Sequence, residues 1–202
     1  YLDHMPAVIV ARPEAQDLGR INERDHLQPW SRDWLRDNLP QESGIQLRTG
    51  AKLDFPEHFP RVGGVDIVLG APGALPAYLE LKCGASHDAL GDCAWDVMKL
   101  GVCISQGACS MGYLVAATLE RWFDEGRVGT ELLASGEWSA TGIRADYVSW
   151  FRAYEKRGDP EPRLVPASGK TTLIGSTNFT IDEADWNIRV ARVEVTDHEN
   201  YA

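Results

Sequence analysis

Three charged residues lie in two short apolar stretches near the middle of the chain. Asp66 interrupts a run of β-branched and leucine residues, and Glu80 and Lys82 flank Leu81 at the end of the next apolar stretch. Side chains alternate between the two faces of a β-strand, so Glu80 and Lys82 are expected on one face and Leu81 in the core. An acid in an apolar strand is costly to bury unless it is paired, hydrogen-bonded or bound to a metal. The pattern therefore predicts one polar site shared by two neighbouring strands.

The triplet Glu80-Leu81-Lys82 carries little information by itself, because a chain of this length contains on the order of one Glu-x-Lys by chance. Its context is more informative. It is the single Asp/Glu-x-Lys in the sequence, it ends an apolar stretch, and the acid upstream follows the double glycine Gly63-Gly64. The alternative to a functional site is a structural ion pair between Lys82 and the acids.

Together with their setting, these residues resemble the active-site signature of the PD-(D/E)xK nuclease superfamily, in which an acid, a variable spacer and D/E-x-K hold a divalent metal. The resemblance implies Mg²⁺ or Mn²⁺ bound by Asp66, Glu80 and the backbone carbonyl of Leu81. It assigns Lys82 to orienting the attacking water or stabilising developing negative charge. The implied function is a metal-dependent nuclease that hydrolyses phosphodiester bonds, with DNA as the favoured substrate and a homodimer compatible with it.

The alternative function is a non-catalytic interaction protein that retains the nuclease fold. Its motivation is the acidic composition together with seven tryptophans that can furnish a binding surface. Metal binding that depends on Glu80 distinguishes the two functions.

Four further polar residues are candidates for accessory roles under the resemblance. Superfamily members often add an acid from the helix before the sheet, where Glu23 lies. They often add a polar residue from the helix after it, where Lys99 is the first candidate and Gln106 a weaker one. Asp96 lies three residues before Lys99 on the same helical face, so an intrahelical ion pair is equally compatible with this spacing.

The elements that must position these residues follow from hydrophobic periodicity and from turn residues. Pro29 is expected to break or kink the first helical region, and Ser31 to cap a second helix. The last strand of the core is expected to return parallel to the strand of Glu80 after a helical crossover. The expected order is helix (13–39), three strands (45–55, 62–69 and 76–83), helix (91 or 92–106) and strand (109–117).

This order corresponds to an α/β fold with a restriction-endonuclease-like core, in which a mixed central sheet of αβββαβ order is flanked by helices. A single domain is predicted over residues 1–202, with the core at about 13–118 and a C-terminal elaboration at about 119–202. The elaboration is predicted to contain a helical segment over 120–135 that Gly126 and Gly129 interrupt, a helix over 145–157 and two strands. The first of these strands is expected at about 163–168 or 171–174 and the second at about 186–196, and they are expected to pair with each other or to extend the sheet.

The formal net charge of −10 argues against broad, nonspecific nucleic-acid binding, which depends on neutralising phosphates with Lys and Arg. A local basic strip remains compatible with this charge. The candidates for phosphate contacts are Arg20, Arg24, Arg32 and Arg36, whose alternative is a set of solvated helix charges.

The four cysteines form no CxxC pair, so a zinc ribbon is not predicted. Reduced thiols in the core of a cytoplasmic protein are the favoured interpretation of Cys83, Cys93, Cys103 and Cys109. An iron–sulfur cluster, which some related nucleases carry, is the alternative. The chain has no apolar run of about 18 residues and no basic leader at its start, so the sequence predicts no membrane association and a cytoplasmic location.

Overall fold

The structure is a computed structural model, and it describes residues 23–40, 44–55, 57–58, 63–125, 129–149, 152, 163–181 and 183–201. A π-helical turn (Glu23–Leu27) leads into the first of four α-helices in these ranges. The helices are α1 (Gln28–Asn38), α2 (Asp88–Ser105), α3 (Glu120–Asp124) and α4 (Ala140–Asp146), and a 3₁₀ turn spans Glu131–Leu133.

Seven strands in the described ranges form one mixed sheet with the order β1-β2-β3-β4-β7-β6-β5. Strands β3 and β4 are parallel, and the five other neighbouring pairs are antiparallel. Helix α2 makes the crossover between β3 and β4, as a parallel pair requires. The strands are β1 (Gln46–Leu53), β2 (Gly63–Gly70), β3 (Ala77–Cys83), β4 (Met111–Leu119), β5 (Gly136–Ser139), β6 (Ser168–Ile181) and β7 (Ala184–Val195).

The chain is therefore an α/β protein in which helices cover a seven-stranded mixed sheet. The predicted order of helix, three strands, helix and parallel strand is confirmed by α1, β1 to β3, α2 and β4. For the C-terminal strands the sequence left open whether they pair with each other or extend the sheet, and both occur. Strands β6 and β7 pair with each other, and β7 extends the sheet beside β4.

Two apolar cores lie on opposite faces of the sheet. One core contains most of the buried face of α2 together with Leu114 and Ala116 of β4. The other contains Trp30 of α1 with Leu79 and Leu81 of β3. Because side chains alternate along β3, packing of Leu79 and Leu81 towards α1 directs Glu80 and Lys82 towards α2.

The helical region does not break at Pro29, because the π-helical turn continues directly into α1, although the geometry changes from π to α one residue before it. Pro29 lies in the first turn of α1, a position that proline tolerates. Ser31 is not an N-cap, because it lies inside this helix and is fully buried. The part of the predicted helix before Glu23 lies outside the described residues, and so does Arg20.

The side chains of β1 and of β2 do not alternate regularly between the two faces of the sheet. Leu47 packs into the core beside α1, whereas Leu53 packs into the core beside α2. Gly50 lies between them with φ = 64°, a left-handed conformation that glycine adopts at low cost. In β2, Val65 and Ile67 also enter opposite cores. The alternation of side chains between the two faces therefore breaks at the same position along both strands. The register of the flanking pairs places Asp66 opposite Gly50 there.

The C-terminal elaboration differs from its prediction in several places. Within residues 120–135, the short helix α3 and the 3₁₀ turn lie on either side of the predicted interruption, so helical structure is confirmed there only in two short pieces. Helix α4 begins at Ala140, where the Ser139 hydroxyl accepts a hydrogen bond from the backbone N–H of Gly142. Much of the predicted helix over 145–157 lies outside the described residues. Strand β5 was not predicted, and the β6–β7 hairpin is longer than predicted.

The helices within the described ranges include none that is long and apolar enough to cross a membrane.

Candidate active site

The candidate site lies where β2 and β3 separate. Their antiparallel ladder ends at the pair Ile67 and Leu79, and the next pair in this register would be Asp66 with Glu80. At that level the Asp66 carboxylate replaces a backbone partner, because its Oδ2 accepts a hydrogen bond of 2.8 Å from the backbone N–H of Leu81. The side chain of Asp66 therefore points at β3, beside Glu80, as the sequence predicted.

Gln28 holds the other side of Asp66. The side-chain Nε2 of Gln28 donates to the backbone carbonyl of Asp66 at 3.2 Å and to its Oδ1 at 3.4 Å. Gln28 follows Glu23 by five residues, and the intervening π-helical turn brings residues at this spacing close together. An α-helix would not stack residues five apart, so the sequence contained no clear signal for Gln28.

Lys82 lies between two acids from different helices. Its Nζ is 2.8 Å from Asp96 Oδ2 and 3.1 Å from Glu23 Oε2, and it donates to the carbonyl oxygen of Leu81 at 3.1 Å. The predicted accessory residue Glu23 therefore contacts the site through Lys82. The Leu81 carbonyl, expected to bind metal, accepts a hydrogen bond from Lys82 in this structure.

Lys99 forms a second bridge on the same face of the sheet. Its Nζ is 2.8 Å from Glu80 Oε1 and 3.2 Å from Asp96 Oδ1, and it donates to the carbonyl oxygen of Gly64 at 3.2 Å. Asp96 thus contacts both lysines, one with each carboxylate oxygen. Asp96 and Lys99 form the intrahelical ion pair that their spacing predicts, and Lys99 also contacts Glu80. The geometry is therefore compatible with both a structural pair and an accessory position at the site.

The cluster contains more acid than base. Four carboxylates and two ammonium groups leave a formal charge of −2 when all six are ionised; the six residues are Glu23, Asp66, Glu80, Asp96, Lys82 and Lys99. Glu80 and Asp96 are each only 1% exposed. Charged groups this deeply buried are maintained only with close partners of opposite charge.

The pKa values in the cluster reflect burial and charge together. Burial raises the pKa of Glu23 to about 7, despite the opposing effect of Lys82. Burial also raises the pKa of Glu80 well above its ordinary value, and Lys99 offsets this only in part. Burial opposes ionisation of Asp96 too, but Lys82 and Lys99 together hold the pKa of that carboxyl below its ordinary value.

The two lysines show the complementary behaviour. Burial is the largest influence on each and favours loss of the proton, but the surrounding acids outweigh it. Asp96 and Glu23 are the strongest of these acids for Lys82, and Glu80 and Asp96 for Lys99. The pKa of both lysines is raised, so both carry positive charge at neutral pH.

The donor set suits a hard divalent cation, because the available ligands are carboxylate oxygens without His or Cys. Within the described residues, no group of three or more His, Cys, Asp and Glu side chains is arranged to hold a metal. Mg²⁺ commonly binds through one or two carboxylates and retains several waters. Asp66 and Glu80 would be these two carboxylates, because they occupy facing positions of β2 and β3 where the ladder ends, and the cation would offset the excess of acid.

Other predicted residues lie outside the cluster. Gln106 follows α2 and donates to the Tyr201 hydroxyl at 3.4 Å. It is ten residues beyond Asp96, or about 15 Å along the helix axis, so the structure does not bring this accessory candidate to the site. Arg32 and Arg36 of α1 form ion pairs with Asp33, and the Nε of Arg36 also pairs with Asp37.

The four cysteines are free thiols divided between the two faces of the sheet. Cys93, Cys103 and Cys109 belong to the core beside α2, whereas Cys83 packs against the core beside α1. Burial raises the pKa of every one of these thiols, to about 12 for Cys109, so they are held in the neutral form. The packing of these thiols in or against apolar cores is the packing that the sequence favoured.

The fold and the site define an α/β protein with a buried cluster of acids and lysines at a strand junction. Comparisons of the chain with protein-family models, with curated proteins and with solved structures find no match.

Proposed function

We propose that this chain is a metal-dependent nuclease with a restriction-endonuclease-like core, acting on phosphodiester bonds and in the first instance on DNA. One observation carries the proposal. The end of the β2–β3 ladder brings Asp66 beside Glu80, with Lys82 two residues further along the same strand. Two carboxylates and an ammonium group side by side are the groups that metal-assisted phosphodiester hydrolysis uses.

The topology around the junction supports this function. The two acids lie on adjacent antiparallel strands, and a parallel strand follows after the crossover helix α2. Helices from both faces add to the site, because Glu23 and Gln28 come from the segment before the sheet and Asp96 and Lys99 from α2. Polar contacts from both sides fix the acids and Lys82 in place, as catalytic groups require.

In the proposed reaction, Asp66 and Glu80 would hold Mg²⁺ or Mn²⁺, whose chemistry would be to supply positive charge at the scissile phosphate and to lower the pKa of a water. The three N–H groups of the Lys82 ammonium already contact Asp96, Glu23 and the Leu81 carbonyl, so its role is to stabilise, through its positive charge, the negative charge that develops on the phosphoryl oxygens. Asp96 and Glu23 keep this ammonium at the junction and keep it protonated.

The direct test is cleavage of labelled single-stranded, duplex and branched DNA, and of RNA, with Mg²⁺, Mn²⁺ or EDTA. We expect cleavage with metal and none in EDTA. Asp66→Asn, Glu80→Gln and Lys82→Met should each reduce the rate by about 100-fold or more. Gln106→Ala is the matched control, since this residue lies outside the cluster, and it should cleave at the wild-type rate. Full activity of Glu80→Gln, or cleavage in EDTA, contradicts the proposal.

The second candidate is a non-catalytic interaction protein that retains this fold. A specific observation favours it. Each lysine already spans two carboxylates, Lys82 between Glu23 and Asp96 and Lys99 between Glu80 and Asp96, so much of the acid is neutralised without a metal. Calorimetric titration with Mn²⁺ separates the two functions. Binding that is lost in Glu80→Gln supports the nuclease, whereas no heat of binding supports the non-catalytic protein.

A further inference from the structure

The edge strand β1 exposes two cations beside the candidate site. Arg48, Gly50 and Lys52 are all exposed, whereas Leu47 and Ala51 are half-buried. In the part of the chain that the structure describes, the side chains of Arg48 and Lys52 form no ion pair and no hydrogen bond. These two residues contrast with Arg32 and Arg36, whose charges are balanced by neighbouring aspartates.

The register of β1 and β2 places these cations on either side of Asp66. Arg48 pairs with Val68 and Lys52 with Gly64, so Asp66 lies midway between them and opposite Gly50. Each cation is two residues from this level, or about 7 Å along the strand. The carbonyl of Gly64, the partner of Lys52, accepts the hydrogen bond from Lys99 and so belongs to the site.

Gly50 keeps the approach to this level open. It has φ = 64°, and a Cβ built on it meets no other atom within 4 Å. The break in alternation at Gly50 also directs the flanking cations to different faces, because Leu47 enters one core and Leu53 the other. Arg48 and Lys52 therefore project from the two sides of one sheet edge, about 13 Å apart along the strand.

Charge complementarity identifies the partner of this edge. The chain carries a net charge of −10, so two cations that are not balanced by acids form a local exception next to an acidic site. The opposite edge strand, β5, exposes Glu137 and carries no Lys or Arg. A polyanion is attracted to β1 and not to β5, and regularly spaced phosphates can contact both cations of β1 at once.

We infer that the β1 edge, through Arg48 and Lys52, binds the phosphate backbone of a nucleic acid and leads it across Gly50 to Asp66. This inference deepens the proposed nuclease function and depends on it for the identity of the substrate. It replaces the helix arginines Arg32 and Arg36 as the phosphate contacts. The backbone contacts are independent of base sequence, so the edge contributes affinity and orientation without base specificity.

The test is fluorescence anisotropy with a short fluorescein-labelled DNA duplex, titrated with the full chain in EDTA at several KCl concentrations. EDTA prevents metal-dependent cleavage of the probe, so binding is measured separately from catalysis. The test variant is Arg48→Gln/Lys52→Gln. The matched control is Arg32→Gln/Arg36→Gln, which removes the same two positive charges elsewhere on the surface. Thermal unfolding of both proteins shows that each is folded.

We expect the test variant to bind on the order of tenfold more weakly at about 0.1 M salt. The slope of log affinity against log salt concentration should fall by roughly 2, the value for two lost phosphate contacts. The control should bind like the wild type. Equal binding by both variants overturns the inference while leaving the proposed hydrolysis untouched, because that proposal is tested by cleavage.

Three further outcomes also decide the matter. Charged residues on an edge strand also prevent unwanted strand pairing. If Arg48→Gln/Lys52→Gln self-associates in sedimentation velocity and binds DNA normally, the cations only protect the edge and the inference is wrong. If the wild type binds no nucleic acid, the inference fails, and so does the proposal that nucleic acid is the substrate. If it binds through β1 and does not cleave with metal, the inference holds and the nuclease proposal fails.

Discussion

Replacing Lys99 by methionine removes one of the two cations of the buried cluster while preserving much of the side-chain volume. Lys99 contacts Glu80 at 2.8 Å, Asp96 at 3.2 Å and the Gly64 carbonyl at 3.2 Å, and its side chain is 11% exposed. Removing one partner of a buried ion pair costs about 3–5 kcal/mol, because the other charge remains buried. We expect a value near 3 kcal/mol, since the raised pKa of Glu80 allows that carboxyl to take up a proton.

The assay is urea unfolding of Lys99→Met, Glu80→Gln and the double variant, followed by a double-mutant cycle. The double variant should be more stable than the sum of the single effects predicts, with a coupling free energy of about 1–3 kcal/mol. In thermal scans, Lys99→Met should lower the melting temperature by about 6–12 °C for a chain of this size. Lys52→Met, a change of the same chemistry at an exposed site, should cost less than about 0.5 kcal/mol.

Additive single effects would refute the reasoning, because they would show that Lys99 and Glu80 do not interact in solution. A cost for Lys99→Met as small as that for Lys52→Met would refute it as well. Either result would mean that the buried network is not the arrangement that positions Glu80.

Three other predictions follow from single residues. The pKa of Glu23 is raised from 4.5 to about 7 on folding, so this group favours the folded state below about pH 4.5 and loses that contribution as the pH rises through 7. Between these pH values the unfolding free energy of the wild type should fall by about 1–2 kcal/mol through this group, after allowance for its partial exposure, and Glu23→Gln should lack this fall. If the wild type and Glu23→Gln have the same pH profile, the pKa of Glu23 is not raised. Gln28→Ala should weaken Mn²⁺ binding measured by calorimetry about tenfold, because Asp66 loses the group that orients it, and wild-type affinity would exclude this role. Gly50→Ala should cost about 1–2 kcal/mol in urea unfolding through backbone strain alone, since the added methyl group meets open space; a neutral effect would show that β1 relaxes.

Local periodicity was sufficient for the strands that carry the site. The alternation in β3 predicts correctly that Glu80 and Lys82 lie on the face opposite Leu81. The crossover rule for parallel strands predicts the path from β3 through α2 to β4. Gly107, with φ = 66°, lies just beyond α2, where a glycine in the left-handed conformation commonly ends a helix.

The features that the sequence could not predict depend on contacts between distant segments. The Asp66 carboxylate bonds to the Leu81 N–H because the β2–β3 ladder ends at that level, and no local pattern encodes where a ladder ends. Gln28 reaches Asp66 through a π-helical turn, which the α-helical period of the surrounding sequence does not indicate. Gln106 became an accessory candidate because it belongs to the helix after the sheet. The distance along the helix axis separates it from Asp96 and therefore from the site.

The two lysines show how a local rule and a functional hypothesis overlap. The spacing of Asp96 and Lys99 predicts an ion pair, and this pair is present. The same spacing does not reveal that Asp96 also contacts Lys82, because that contact joins α2 to β3. Sequence patterns therefore identify the members of the cluster better than they identify its connections.

The most direct test of the central claim is a crystal structure of the protein soaked in Mn²⁺, with anomalous scattering used to locate the ion. The proposed function predicts a peak between Asp66 and Glu80, about 2.1 Å from an oxygen of each carboxylate. The distance from Lys99 Nζ to Glu80 should then increase, or Glu80 should contact both Lys99 and the metal ion. An empty junction in which Lys99 still pairs with Glu80 at high Mn²⁺ concentration would contradict the claim.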